Sequence, residues 1–508
     1  MPEIMARVND ALNSVVWGSP MLVLIVGTGI LMTVRTGFFQ LTHAGHIFAK
    51  TIGGVFQKGS GVTDTGEKTS ISQFQALCTA LAATIGVGNI AGVAAAIAAG
   101  GPGAIFWMWL SAFFGMMTNY SENVLGIYYR RKNSRGEWCG GAMYYLRDGL
   151  GAIEGCEAIG SILAVLFSLF CILASFGIGN MSQVNTIANN IRAVFPIDAL
   201  DRTLIIGSAR VSLYALTIGI VLMLTAGLVI VGGIRRIAQV TEKLVPFMAC
   251  AYILGTLIVL LVNIQKAGAV FGAIFSFAFG FHAVGGAAVG LAVKNAVSWG
   301  LKRGVFSNEA GLGSSVMIHC ASNVVEPVRQ GMWGIFEVFA DTIVVCTLTA
   351  FTILSTGLVD LKTGEMLSSR EQTALVSEAF GSVFCFGGVN FGGMFIAVAI
   401  LLFAFSTVLG WSWYGAKAWE FLFGTEAVIL YKIMFVIFIM FGAAMSLDLA
   451  WDISDTFNGL MAIPNLTGVL ALSDTVIKIT DNYTARMFHH SGEKPMLSAF
   501  DDIPGEQK

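Results

Sequence analysis

The residues best placed to do chemistry in this chain are small polar groups and glycines set inside long apolar runs. One run reads Gln75-Ala-Leu-Cys-Thr79-Ala-Leu-Ala-Ala-Thr84-Ile-Gly86-Val-Gly88-Asn89-Ile-Ala-Gly92. Glycine costs about 1 kcal/mol per residue in a helix interior, so the Gly86–Gly88–Asn89 stretch is ready to unwind. Unwound backbone at membrane depth is tolerated only where it lines a cavity or binds something. Its carbonyls, here those near Ala82, Ile85 and Gly86, can coordinate a cation, and the N-terminus of the following half-helix can hold a carboxylate. A second run, Phe403-Ala-Phe-Ser406-Thr407-Val-Leu-Gly410-Trp411-Ser412-Trp413-Tyr414, supplies two adjacent hydroxyls. Such hydroxyls often bond only their own i−4 carbonyls. The functional alternative makes Ser406 and Thr407 hard oxygen ligands for Na+, completing a shell begun by the carbonyls. Trp411 lies one turn beyond Thr407 on the same helix face and is a candidate cap for a small cavity.

A matching interruption is expected at Phe279-Gly280-Phe281-His282-Ala-Val-Gly285-Gly286-Ala-Ala-Val-Gly290, about 200 residues after the first. Each glycine cluster taken alone is equally a surface for close helix packing. As a pair at corresponding depths, the two point to a transporter binding site between them, with Thr79, Thr84, Gly86, Gly88, Asn89, Phe279, Gly285 and Gly286 as its lining. Gln183 and Asn185, after Gly177-Ile-Gly179-Asn180, either cap a loop or dip into the site. Asp341 sits inside an apolar run, where a charge costs roughly 2.5–3.5 kcal/mol, and is therefore either a coupling or a structural acid. Glu122 and Glu337 fall nearer expected span ends, where water can reach them, and rank lower.

These residues need helices in a bilayer to hold them. Hydrophobic residues make up 56% of the 508-residue chain and charged residues 12%, against about 25% charged in soluble domains. That balance excludes an ordinary cytosolic enzyme, and the net charge of −2 without a basic tract excludes a nucleic-acid partner. The apolar runs are continuous rather than alternating, so an all-α polytopic membrane protein is expected instead of a barrel. Eleven spans are expected, at 17–34, 74–99, 103–129, 158–180, 211–233, 244–264, 268–293, 330–357, 390–415, 427–445 and 449–475. The first lacks the basic leader and cleavage site of a signal peptide. With the N-terminus outside and the C-terminus inside, 22 of the 29 Lys and Arg residues fall on inside segments. The first helix (17–34) is peripheral, and spans 2–6 (74–264) and 7–11 (268–475) form two five-helix groups. Because five is odd, the second group runs inverted relative to the first. The whole of 1–475 then forms one transmembrane domain, and 476–508 a partly disordered cytoplasmic tail. The eight cysteines lack CxxC spacing and read as small core residues. The six histidines show no metal spacing. Two glycine-rich decoys fail: Gly61–Thr69 lacks the Gly-Lys pair of a phosphate loop, and Gly86–Gly92 lacks the dinucleotide spacing. No nucleophile–base pair suggests an enzyme, and no cofactor is expected.

Four stretches resemble the alanine or glycine:cation symporter family across nearly the whole chain. They are Ser72-Gln-Phe-Gln-Ala-Leu-Cys-Thr79 through Asn89-Ile, Gly100-Gly-Pro102-Gly-Ala-Ile-Phe106-Trp-Met-Trp109, Gly304-Val-Phe-Ser-Asn308-Glu309-Ala-Gly-Leu-Gly313-Ser, and Phe405-Ser406-Thr407. The family is similar in fold to the bacterial leucine transporter class, in which the first helix of each five-helix repeat is broken. One departure is Ala142, where the family carries proline. The resemblance implies a multi-pass bacterial inner-membrane symporter that couples Na+ to uptake of alanine, glycine or serine. Carried over by position, the substrate sits between the breaks in spans 2 and 7 with Gln183 and Trp411 nearby. Na+ is then held by backbone at Ala82 and Ile85 and by Ser406 and Thr407. The same fold is open to a proton-coupled carrier, leaning on Asp341 or His282, and less readily to a channel, which would need a continuous polar lining. The sequence leaves stoichiometry and oligomeric state open.

Overall fold

The computed structural model describes residues 2–57, 62–63, 69–206, 209–280, 286–444 and 448–500. It is a helical bundle whose β-structure, among the described residues, is limited to three two-stranded ladders in loops. Among the described residues, seven helices are long and apolar enough to cross a bilayer, and two bent pairs raise the number to nine. The bent pairs are Gln73–Thr84 with Val87–Gly100, at 61°, and Ile453–Ala471 with Ser473–Phe488, at 57°.

Burial sorts the spans into layers. Two-thirds of the apolar window of the Phe391–Phe423 helix is buried, but only 28% of that of Leu213–Val231. The outer helices present Leu224, Leu228, Val231, Leu254 and Leu261 at their surface. In water such a belt would be a large aggregating patch; in lipid it is the expected solvent-facing surface. The Ser19–Arg35 helix, preceded by a Pro2–Val16 helix, lies against Ala104–Tyr128. The helix that carries Ser406 and Thr407 is therefore central, held by neighbours on most sides.

Three sequence expectations change. The span expected at 158–180 is the first part of a 38-residue helical run, Glu157–Val194. The Gly177-Ile-Gly179-Asn180 stretch, expected to end it, forms one π-turn from Gly177 to Met181. That turn survives because its neighbours accept it: the Ile178 N–H bonds Ser454 Oγ, and Asn180 Nδ2 bonds the Phe435 carbonyl. A Cβ at Gly177 would collide with Ser454.

The second expectation, a span at 268–293 interrupted at 279–290, changes at its far boundary. The Ala267–Phe279 helix stops at Gly280 in the left-handed region (φ 72°). A new helix runs from Gly286 to Asn308, fifteen residues beyond the expected boundary. Third, the tail begins as an ordered helix, Ser473–Phe488. Asp474 pairs with Arg35 at 2.6 Å, Thr480 with Tyr120 at 2.8 Å, and Tyr483 with His46 at 2.8 Å. Those three ties fasten it beneath the bundle.

Candidate functional site

The first interruption is as expected. Ser72 and Gln75 form a reciprocal capping box that starts the Gln73–Thr84 helix. The helix ends at Ile85, whose ψ of 86° turns the chain out of helical geometry. A single turn at Val87–Asn89 follows before the Ala91–Gly100 helix begins. Asn89 spans the gap: its Oδ1 accepts the Gly86 N–H at 3.0 Å, and its Nδ2 donates to Asp341 Oδ1 at 2.6 Å.

Ser406 and Thr407 face this gap. Both hydroxyls donate to the Ala82 carbonyl, at 3.2 and 3.1 Å, and both also reach the Phe403 carbonyl one turn back. The i−4 bonding and the cross-helix contact therefore coexist. The approach is so close that a Cβ on Gly86 would lie 2.5 Å from Thr407 Oγ1. Real atoms do not tolerate that spacing, so glycine is required there by the neighbouring helix rather than by its own φ. Gln183 lies across the gap: its Nε2 donates to the Ile178 carbonyl at 3.0 Å, while its buried Oε1 has no hydrogen-bond partner among the described residues. That oxygen is 3.7 Å from the Gly86 Cβ position. An orphaned buried acceptor costs about 1–3 kcal/mol, and an arriving ammonium or hydroxyl would remove that cost.

Asp341 is fully buried on a π-turn, Phe339–Cys346. Asn89 holds one carboxylate oxygen; Ser307 and Thr342 donate to the other, each at 2.8 Å. Ser307 belongs to the last turn of the Gly286–Asn308 helix. The acid thus ties the first interruption to the end of that helix.

The interruption expected at 279–290 falls where the Ala267–Phe279 helix ends and the Gly286–Asn308 helix begins, and a further interruption meets the first one. Residues 281–285, including His282 and Gly285, lie outside the described residues, and Gly286 is the first residue of its helix. Phe279 is 45% exposed and its ring sits against Phe106 and Trp107, away from Gly86 and Asn89. The interruption that meets the first one is Glu309–Ser315. Glu309, Gly311 and Gly313 all take positive φ (56°, 95° and 72°), and a short helix resumes at Val316. Phe306 and Ser307, just before it, lie in ordinary contact range of the Gly88 Cβ position.

This second gap is held by carboxylates. Trp411 Nε1 donates to Glu309 Oε1 at 3.0 Å, and Ser314 donates to Glu309 Oε2. Asn465 Nδ2 donates both to Glu122 and to the Gly311 carbonyl, the latter at 2.8 Å. Glu122 and Glu337, expected near water, are 1% and 0% exposed. Glu337 meets His319 at 2.8 Å. Their helices, Ala104–Tyr128 and Pro327–Val338, pack on one another, and that packing buries both acids. Thr79 is also displaced: it bonds the Gln75 carbonyl and Thr241, at 2.7 and 2.8 Å, on the flank away from the gap. Thr84 bonds the Ala80 carbonyl at 3.3 Å, as an ordinary helix hydroxyl.

Ser307, Glu309, Gly311, Gly313 and Asn465 line this second gap without having been singled out from the sequence, and Glu122, ranked lower there, joins them. A signal existed in Asn308-Glu309-Ala-Gly311-Leu-Gly313, a polar and glycine-rich step within a helical stretch. A seventh span bounded at residue 293 leaves that step outside the membrane, whereas the helix runs on to Asn308.

The comparisons give the family and the fold. The model of the sodium:alanine symporter family matches residues 2–499. The chain is 45% identical over 471 residues to the sodium/alanine symporter AgcS of Methanococcus maripaludis, covering 93% of this chain and 95% of that protein. It is 35% identical to a probable sodium/glutamine symporter, GlnT, of Bacillus subtilis, covering 98% and 94%. It is 33% identical to a putative sodium/proton-dependent alanine carrier, YrbD, of the same organism, covering 94% and 92%. Among solved structures, a Na+-coupled sialic acid symporter in a substrate-bound outward-open state aligns with a TM-score of 0.51 and 12% identity, over 95% of this chain and 94% of that one; the likeness is one of fold. Two interrupted helices meeting at a buried polar gap, in a multi-pass bundle matched end to end, make this chain a member of the sodium:alanine symporter family.

Proposed function

We propose that the protein imports small neutral amino acids (alanine, glycine or serine) together with Na+ across the bacterial inner membrane by alternating access. The observation that carries this is the convergence of Ser406 and Thr407 on the Ala82 carbonyl at an interrupted helix. Gln183 Oε1 lies buried beside the same gap, unpartnered among the described residues.

Na+ is held by the carbonyls of Ala82 and Ile85 with the hydroxyls of Ser406 and Thr407. Their hydroxyl protons turn away so that lone pairs face the ion; a hard cation prefers such oxygens. These ligands come from two different helices, Gln73–Thr84 with its end and Phe391–Phe423. Na+ therefore fixes the gap in one shape. The amino acid binds that shape: its carboxylate takes backbone N–H groups freed at the break, and Gln183 accepts from its ammonium. By linkage, each ligand tightens the other by the same factor. Asp341 acts through Asn89, holding its amide so that Oδ1 fixes Gly86. Trp411, anchored by Glu309, limits the side chain to about a methyl or hydroxymethyl group.

The span count supports this. Adding Ala104–Tyr128 and the interrupted segment that begins with Gly286–Asn308 to the nine candidates gives eleven. The repeats become 73–262 and 286–471, each opening with an interrupted helix, the second inverted. The N-terminus is outside and the C-terminus inside. Lys294, Lys302 and Arg303 move from a loop onto a helix, and the remaining charge bias keeps its direction.

The test is uptake of labelled alanine, glycine and serine into proteoliposomes under an imposed Na+ gradient, with an H+ gradient as the comparison. Accumulation driven by Na+ supports the proposal. Accumulation driven by H+ alone replaces the coupling ion, and none with either gradient removes the substrate assignment.

A further inference from the structure

A groove of about 440 Å³ runs between the Ser19–Arg35 and Gly286–Asn308 helices. Leu22, Val26, Gly27 and Ile30 line one wall, and Val297 and Leu301 the other. The polar groups in its lining are Ser19, Ser298 and Lys294. Gly27 keeps the slot open: a Cβ built there would meet nothing within 4 Å. Two residues on, a Cβ at Gly29 would lie 2.7 Å from the Phe114 carbonyl oxygen. One face of this helix is therefore packed on the bundle and the adjoining face is left uncovered.

The groove has a defined depth. Gly100 closes the Ala91–Gly100 helix, and its Cβ position lies 3.1 Å from Trp299 and 3.2 Å from the Asn295 carbonyl oxygen. Lys294 is thus level with the turn at 101–103, at the outer end of the bundle in the orientation proposed above. Phe114, against Gly29, is ten residues into the Ala104–Tyr128 helix, about 15 Å further down. From Lys294 to Ile30 the slot spans half of a hydrocarbon core of roughly 30 Å, which is one leaflet.

Its single cation is unengaged. Lys294 is exposed and, among the described residues, forms no ion pair. The next two cations on the same helix are occupied: Lys302 pairs with Asp455 at 3.2 Å and lies over the Trp17 ring, and Arg303 lies over Trp299 and Phe306. An ammonium at headgroup level above an apolar slot one leaflet long matches an anionic phospholipid, with phosphate on the lysine and an acyl chain in the slot. A lipid with its own ammonium would bring a like charge towards Lys294. A peptide would leave backbone N–H and C=O groups facing a wall that offers only two hydroxyls.

We propose that this groove binds one anionic phospholipid of the surrounding leaflet, its phosphate on Lys294 and one acyl chain over Gly27. The lipid fills the seam between the Ser19–Arg35 helix and the helix whose Ser307 donates to Asp341, so it steadies one wall of the central assembly. The inference is independent of which solute or ion is carried.

The experiment titrates delipidated, purified full-length protein with phosphatidylglycerol or phosphatidylcholine of the same acyl chains. Native mass spectrometry and thermal unfolding read the binding in wild type, Lys294→Gln, Lys294→Arg and Gly27→Phe. Unfolding without lipid checks that each variant keeps the fold. Wild type should hold one phosphatidylglycerol about fivefold more tightly than phosphatidylcholine, the contribution of one lysine at an anionic surface, and its unfolding temperature should rise with that lipid. Lys294→Gln should lose the preference and Lys294→Arg should keep it. Gly27→Phe fills the slot and should lose the tight lipid altogether. Equal binding of the two lipids by wild type overturns the inference, as does a preference that survives Lys294→Gln. Tight lipid retained in Gly27→Phe places it elsewhere on the surface and overturns it too. A wild-type dimer that Gly27→Phe dissociates gives the groove to a second copy of the chain, with the same consequence.

Discussion

The two helix interruptions are built in opposite ways. At the first, near Gly86, side chains donate to backbone carbonyls: Ser406 and Thr407 to Ala82, with Asn89 alone bridging the turn. At the second, near Glu309, two buried carboxylates are saturated by Trp411, Ser314 and Asn465, and the chain reverses through residues with positive φ. The first gap therefore offers oxygens that a cation can take over, while the second is a filled polar joint that shapes the wall opposite. Asp341 couples them by holding Asn89 of one and Ser307 beside the other.

The strongest way to break the comparison is Gly86→Ala. Its Cβ would meet Thr407 Oγ1 at 2.5 Å, and overpacking of this kind costs about 1–3 kcal/mol. The cost falls on the Na+ arrangement rather than on the global fold, so uptake should drop by about tenfold to a hundredfold while yield and unfolding temperature hold. Equal losses of uptake and stability would place Gly86 in the fold instead.

Asp341→Asn comes next. The amide can replace one acceptor oxygen, but its NH2 then faces the donating hydroxyls of Ser307 and Thr342. Transport should fall several-fold with the protein still folded, because a donor clash costs about 1–3 kcal/mol. Normal uptake would remove Asp341 from the coupling path.

Trp411→Leu sharpens the difference between the gaps. Losing the indole leaves Glu309 Oε1 without its donor and opens space beside Gly179, whose Cβ position is 2.4 Å from Trp411. Valine and leucine should then compete with labelled alanine, alanine should bind more weakly, and half-saturating Na+ should stay close to wild type. A wild-type competition profile would make Trp411 a packing residue only.

Much of the first gap was legible because its signal is local. Gly86, Gly88 and Asn89 are sequence neighbours within one apolar run, and Ser406–Thr407 is a hydroxyl pair in another. The second gap was not legible by the same rule. Its residues also cluster, at Asn308–Gly313, but the helix before it begins after Gly280 and runs to Asn308, so a hydropathy window ends too early and directs attention to Gly285 and Gly286. Its partners Glu122 and Asn465 are distant in sequence; Glu122 is expected near water, and nothing in the residues around Asn465 marks it before the fold brings the two together. The same limit applies to Gly177–Asn180, where a chain-terminating composition is carried through a helix by Ser454 and Phe435 from another span.

The central claim is that the first gap holds Na+ through the Ser406–Thr407 pair. It is tested most directly by titrating Na+ against alanine uptake in wild type and Thr407→Ala. Removing one oxygen ligand should raise half-saturating Na+ by about tenfold, the loss of one charge-assisted contact. Alanine affinity at saturating Na+ should change much less. An unchanged Na+ half-saturation in a folded, transporting Thr407→Ala protein would contradict the account.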